Sequence, residues 1–135
     1  MANQKVIETD ILIIGGGVAG LATAIHLADL HAVSRASEGA ASVPPKILVL
    51  EKGSSVGSHS LSGAVVDSTS LRQLLPGMPE QDFPFESPVT QDRFYFLLPK
   101  LALRAPYTPP FMGNRGNYVV ALGKLTRWLA EIAEK

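Results

Sequence analysis

The chain of 135 residues contains no cysteine. These residues can therefore form no disulfide, supply no thiolate nucleophile and hold no cysteine-ligated metal. An excess of one charge is missing too: 12 Lys and Arg face 12 Asp and Glu, for a formal net charge of zero. That balance gives no support to a nucleic-acid partner or to an electrostatic membrane anchor. No apolar run approaches the roughly 20 residues that a spanning helix needs. Residues 1–10 include Glu8 and Asp10 and lack the layout of a secretory signal or an Arg-rich transit peptide. Of the three histidines, His26 and His31 show no ligand spacing, and no metal cluster, catalytic triad or acid–base pair stands out. What remains is 46% hydrophobic and 18% charged, enough for a packed core in one domain or part of one.

Order along the chain gives the fold class. Residues 6–14 read as a strand, with the unbroken apolar run 11–14 expected to be covered on both faces, as in a parallel sheet. Glycines 15–17 turn the chain. Leu21, Ala24, Ile25 and Ala28 then mark one face of a helix expected to end near Leu30. Residues 31–45, small, polar and closed by two prolines, read as a surface excursion, partly disordered. "KILVLEKG" (46–53) is a second strand ending in an acid. Strand, helix and strand over 6–53 make a βαβ unit with a right-handed crossover.

Residues 54–67 read as a loop. Residues 70–75 read as a short helix with Ser70 as its cap, 76–92 as irregular, and 93–98 as a β-prone aromatic run with 101–104 as its hairpin partner. "PYTPPFM" reads as a packed surface loop, apolar and stiffened by proline. Residues 118–122 are strand or helix entry. The segment 124–135 is helical, with Leu125, Leu129 and Ile132 on one side and Trp128 as core. The expected class is α/β: a Rossmann-like FAD/NAD(P)-binding fold with a parallel sheet, incomplete, plus an inserted β-containing segment (76–112). Only two parallel strands are present, so the chain is expected to be the front portion of a larger protein.

Gly15-x-Gly17-x-x-Gly20 lies between the first strand and the helix. In a dinucleotide site the first glycine allows the tight turn, the second admits the pyrophosphate to the backbone, and the third lets helix and strand approach. The helix start adds free N–H groups and partial positive charge. Glu51, closing the second strand, suits a ribose hydroxyl. It lies 36 positions after Gly15, whereas the fingerprint expects about 20 between motif and acid; the excursion accounts for the excess at little entropic cost. FAD, NAD and NADP share the adenosine diphosphate that such a turn would hold.

"EKGSSVGSHSLSGAVVD" and "GNYVVALGKLTRWL", with "SPVTQDRFYFL", closely resemble the electron transfer flavoprotein-ubiquinone oxidoreductases. The resemblance covers nearly all of the chain after Asp10. It implies FAD as cofactor, electron transfer flavoprotein and ubiquinone as partners, and peripheral association with a bacterial or mitochondrial inner membrane, with lipid or quinone contact as the alternative reading of "PYTPPFM". An iron–sulfur cluster belongs only to the full-length family, in a C-terminal region that these residues lack along with most of the quinone site. The resemblance also implies that Gly15, Gly17 and Gly20 surround the pyrophosphate, with Gly16 and Ala19 lending amides. Glu51 would hold the ribose with Lys52 beside it. Ser58, His59, Leu61, Ser62 and Gly63 would approach the phosphates and flavin, and Arg127 would meet the diphosphate. No residue is assigned a catalytic or metal-binding role. Two other readings stand beside it: a truncated nucleotide-binding module without turnover, and a geranylgeranyl-reductase-like flavoprotein with a nicotinamide donor.

Overall fold

The computed structural model describes residues 6–38 and 43–135. The chain divides into two compact units, Met1–Leu61 with Leu122–Lys135, and Ser62–Ala121.

In the first unit, β1 (Ile11–Ile14) and β2 (Ile47–Leu50) pair in parallel, Ile11 opposite Ile47 through Ile14 opposite Leu50. Residues 6–10, expected to extend the first strand, fall outside it. There Asp10 Oδ2 accepts the N–H of Lys46 at 2.7 Å, which fixes the start of the pair. Helix α1 (Val18–Glu38) connects the strands. It runs eight residues past the end expected at Leu30, because 31–38 contain no glycine or proline and several good helix formers. Arg35 sits in its last turn, where a cation complements the helix dipole. The expected excursion thus shrinks; its residues 39–42 lie outside the described residues.

Helix α3 (Leu122–Ala133) packs against α1. Leu21, Ala24 and Ile25 of α1 are buried, as are Leu125, Thr126 and Leu129 of α3. Both helices thereby bury most of the stripe that their periodicity marks, except that Ala28 is exposed and Trp128 and Ile132 are only half-buried. The sheet departs further from expectation. Leu12, Ile14 and Leu50 are exposed, Ile14 at 83%. Burial alternates along β1, so one face is covered and the other is bare, where a parallel sheet usually hides both.

The second unit is built on an antiparallel sheet ordered β3 (Gly63–Val66), β7 (Tyr118–Ala121), β4 (Ser87–Pro88). The expected loop 54–67 therefore ends in a strand. "GAVV" pairs in register with "YVVA", and Val120 in the central strand is fully buried. Helix α2 (Ser68–Leu74) starts earlier than expected and is capped by Asp67 rather than Ser70. Asp67 Oδ1 accepts the N–H of Thr69 at 2.9 Å, the bond an N-cap makes. Phe83, Phe85 and Tyr118 stack in series, with centroids 5.2 and 4.4 Å apart. The hairpin β5 (Tyr95–Leu98) and β6 (Leu101–Arg104) forms as its sequence suggests, and every residue in it is exposed. The PYTPPFM segment holds a short 3-10 turn (Pro110–Met112), and Tyr107 and Phe111 are exposed rather than packed. No helix among the described residues is long and apolar enough to cross a membrane.

Leu129 carries the most testable part of this packing. Leu129→Ala, at a side chain with no exposure, is expected to cost about 2–5 kcal/mol in urea unfolding. Leu97→Ala, at a side chain 80% exposed, is expected to stay within about 0.5 kcal/mol. Equal effects would contradict the core assignment.

Candidate functional site

The register of β1 with β2 brings the glycine turn beside the acid. Because Ile14 pairs with Leu50, the next residues, Gly15 and Glu51, leave neighbouring strand tips. Sequence separation is irrelevant to that adjacency, which is why the long connection leaves the motif intact. Gly15 donates its N–H to the Leu50 carbonyl at 2.7 Å and takes φ +116°, a conformation that side-chain-bearing residues rarely adopt. A Cβ on Gly20 would overlap the Gly15 carbonyl oxygen and press on Ile13. Glycine at both positions lets α1 start directly above β1.

The first hydrogen bond inside α1 joins Leu21 N–H to the Gly17 carbonyl at 3.0 Å. The amides of Val18, Ala19 and Gly20 therefore precede the helical ladder. Open space lies where a Cβ on Gly17 would stand, and Gly17 itself is exposed.

Glu51 points into this corner. Its Oε2 accepts the Gly16 N–H at 2.8 Å, and its Oε1 accepts the Gly53 N–H at 2.7 Å. These two bonds, Gly53's first, hold the carboxyl below its usual value near 4.5; the positive charges of His59 and Lys52 add to the effect, and partial desolvation opposes it. His59 Nδ1 lies 3.7 Å from Glu51 Oε1, with the imidazole largely exposed. Ser58 and His59 flank Gly53: a Cβ there would come within 2.5 Å of Ser58 Oγ and 3.2 Å of His59 Cε1.

The structure thus gathers Gly15, Gly16, Gly17, Ala19, Gly20, Glu51, Ser58 and His59 at one end of the β1–β2 pair, with Lys52 exposed beside them. The N–H of Gly16, expected to serve a diphosphate, is instead taken by Glu51. His59 lies beside the acid, at the end where the sugar is expected. Leu61 is 93% exposed. Ser62 and Gly63 belong to the second unit, where Gly63 opens β3 opposite Ala121. Arg127 is exposed on α3, its guanidinium lying back toward Gly123. Gly53 was missed by sequence reasoning, although its place two residues after a strand-ending acid is where a backbone N–H can reach that acid.

A sequence profile of FAD dependent oxidoreductases matches residues 10–134. The chain belongs to the FAD-dependent oxidoreductase family. Within these flavoproteins it is similar to the electron transfer flavoprotein-ubiquinone oxidoreductases. It is 47% identical to the mitochondrial one of Dictyostelium discoideum over 127 residues, which is 94% of this chain and 20% of that protein. It is 38% identical to the probable one of Acinetobacter baylyi over 135 residues, 98% of this chain and 23% of that protein. The Rattus norvegicus mitochondrial protein is 39% identical over 128 residues. The chain therefore spans about a fifth of the length of these relatives. The corner fits an FAD diphosphate in one testable respect: no atom lies within 4 Å of where a Cβ on Gly15 or Gly17 would stand, so the main chain on either side of Gly16 is open to a ligand.

The depressed pKa of Glu51 fixes the sign of a pH effect. A carboxyl held lower in the folded chain stabilises it above the unfolded value near 4.5, and that contribution is lost as pH falls through the folded value. Glu51→Gln is therefore expected to lose less stability than the parent on acidification from pH 7 to about 3.5, read from urea midpoints. Asp67, also depressed by its bonds to Thr69, contributes to both proteins alike. Parallel pH profiles would contradict the arrangement at Glu51.

Proposed function

We propose that this chain is the FAD-binding front of a flavoprotein that takes electrons from electron transfer flavoprotein and passes them to ubiquinone, with residues 1–135 as the N-terminal part of its FAD-binding domain. The observation that carries the FAD site is the aim of Glu51: its carboxylate reaches Gly16 across the strand tips. The finer reading, donor and acceptor, rests on the similarity to the electron transfer flavoprotein-ubiquinone oxidoreductases over most of this chain.

The residues divide the work. Amides at Gly17, Val18 and Ala19, at the positive end of α1, suit the diphosphate. Each Glu51 oxygen has a second lone pair beyond its bond to Gly16 or Gly53 and can accept from a ribose hydroxyl. Bound FAD supplies the redox chemistry, while the protein supplies position and polarity. No thiolate is present for an iron–sulfur cluster, and no group of His, Asp and Glu among the described residues could hold a metal. Peripheral membrane association and the quinone step belong to the same proposal, for a protein of the relatives' length.

One observation favours a narrower second reading for these residues by themselves. The outer face of the β1–β2 pair is bare, with Leu12 and Ile14 exposed. A chain with that face uncovered would bind the nucleotide without turnover.

Titration of the purified chain with FAD, followed by flavin fluorescence, tests the shared part. Saturable quenching is expected, and Glu51→Ala is expected to weaken it about tenfold or more through the loss of charge-assisted bonds. No quenching would overturn both readings. With FAD bound, reduction through electron transfer flavoprotein is expected. Direct reduction by NADPH would favour the geranylgeranyl-reductase-like alternative.

A further inference from the structure

Gly57 and Gly123 have no part in the nucleotide motif, yet they meet backbone to backbone within the first unit. Gly57 takes φ +78°, in the left-handed region, and a Cβ on it would lie 2.9 Å from the Gly123 carbonyl oxygen and 3.5 Å from Thr126 Cβ. A Cβ on Gly123 would in turn lie 3.3 Å from the Ser60 carbonyl oxygen and 3.4 Å from that of Gly57. Neither approach can be relieved by rotating a side chain, because the opposing atoms are main chain. Two turn bonds, Ser58 N–H to the Ser55 carbonyl at 3.2 Å and Ser60 N–H to the Gly57 carbonyl at 3.1 Å, make the loop a compact body. On the other side Thr126, fully buried, bonds its hydroxyl to the Leu122 carbonyl at 2.7 Å and so presents a fixed surface to the loop.

The residues directly after Gly57 are Ser58 and His59, the two side chains that flank Gly53 and Glu51. The chain of contact runs from the first turn of α3, through Gly57, to the acid that faces the glycine corner. We infer that the Gly57–Gly123 contact sets the distance of the 54–61 loop from the tip of β2, and that Gly57 and Gly123 are positioning residues for the adenosine end of the dinucleotide site. The inference rests on the reading that this end holds the adenosine diphosphate of FAD. It adds that α3, remote in sequence from the motif, governs how tightly that half is held.

ADP, which carries the adenosine and diphosphate without the flavin, is the probe. Calorimetric titrations of the full chain with ADP and with FAD would compare the parent, Gly123→Ala, Gly57→Ala and Ile132→Ala. Gly123→Ala is expected to weaken both ligands by about threefold or more, since small displacements of a binding group are costly. Its thermal midpoint should not fall, because alanine is the better helix former. Gly57→Ala, with the closer approach and the unfavourable φ, is expected to weaken both by about tenfold or more. Ile132→Ala, far along α3, is expected to lower the midpoint and leave ADP affinity unchanged. In the unliganded chain, hydrogen exchange at the Gly16 and Gly53 amides should quicken in both glycine variants, while Leu125 and Leu129 keep their protection. A merely structural role would lower the midpoint and quicken the helix amides together. Glycine variants matching the parent in ADP affinity, or an ADP affinity that simply follows the thermal midpoint, would overturn the inference alone. A parent chain that binds neither ADP nor FAD would overturn the functional reading beneath it. Should Gly57→Ala not fold, Gly123→Ala decides the matter.

Discussion

One carboxylate ties the first unit's functional end together. Glu51 accepts an N–H from Gly16 in the turn after β1 and another from Gly53 in the turn after β2. Two loops that leave neighbouring strands are thereby joined by the same side chain, in addition to the ladder behind them. Behind it, the Gly15 N–H reaches the Leu50 carbonyl at the end of β2. The same bonds keep the group ionised and aimed, so that a sugar hydroxyl arriving at the corner would meet an oriented acceptor rather than one that must first be organised. The cost is one amide: Gly16 serves the protein, so the proposed diphosphate site is left with Gly17 and the first turn of α1.

The supporting structure divides into a rigid part and an exposed part. Helices α1 and α3 bury Leu21, Ile25, Leu125 and Leu129 against one another, and this packing fixes where both helices begin. Function of the proposed kind needs those helix starts held firmly, because a diphosphate reads backbone amides to within a few tenths of an ångström. By contrast, the outer face of the two parallel strands and the whole β5–β6 hairpin leave apolar side chains in solvent. Such surfaces are large for a chain of this size.

Much of this was legible in the sequence, and the reasons for success and failure are physical. The βαβ unit announced itself because an apolar run, a Gly-x-Gly-x-x-Gly turn and an amphipathic helix are each local signals that agree. The position of Glu51 survived a long connection because parallel pairing, and not chain length, places it next to Gly15. The sequence pattern stops marking α1 at Leu30 because the later residues lose the apolar stripe; Ala, Arg and Glu sustain a helix without burial. Strand β3 is hard to read because it has only four residues, two of them Gly and Ala, directly after a Ser- and Gly-rich stretch, and its pairing partner lies more than fifty residues on, at β7. The cap at Asp67 is not distinguished from Ser70 by sequence, because Asp67, Ser68, Thr69 and Ser70 are all residue types that cap helices. The site's finer wiring was illegible for a different reason: which amide Glu51 takes, and where His59 and Ser58 fold, depend on contacts between loops that no periodicity encodes.

The central claim is that the turn after β1 and the acid after β2 form one end of a flavin nucleotide site. It is tested most directly by following the backbone amides of the isotope-labelled chain by NMR as FAD is added. The account predicts saturable shifts concentrated at residues 15–20 and 51–59. Absent shifts, or shifts confined to residues 62–121, would contradict it.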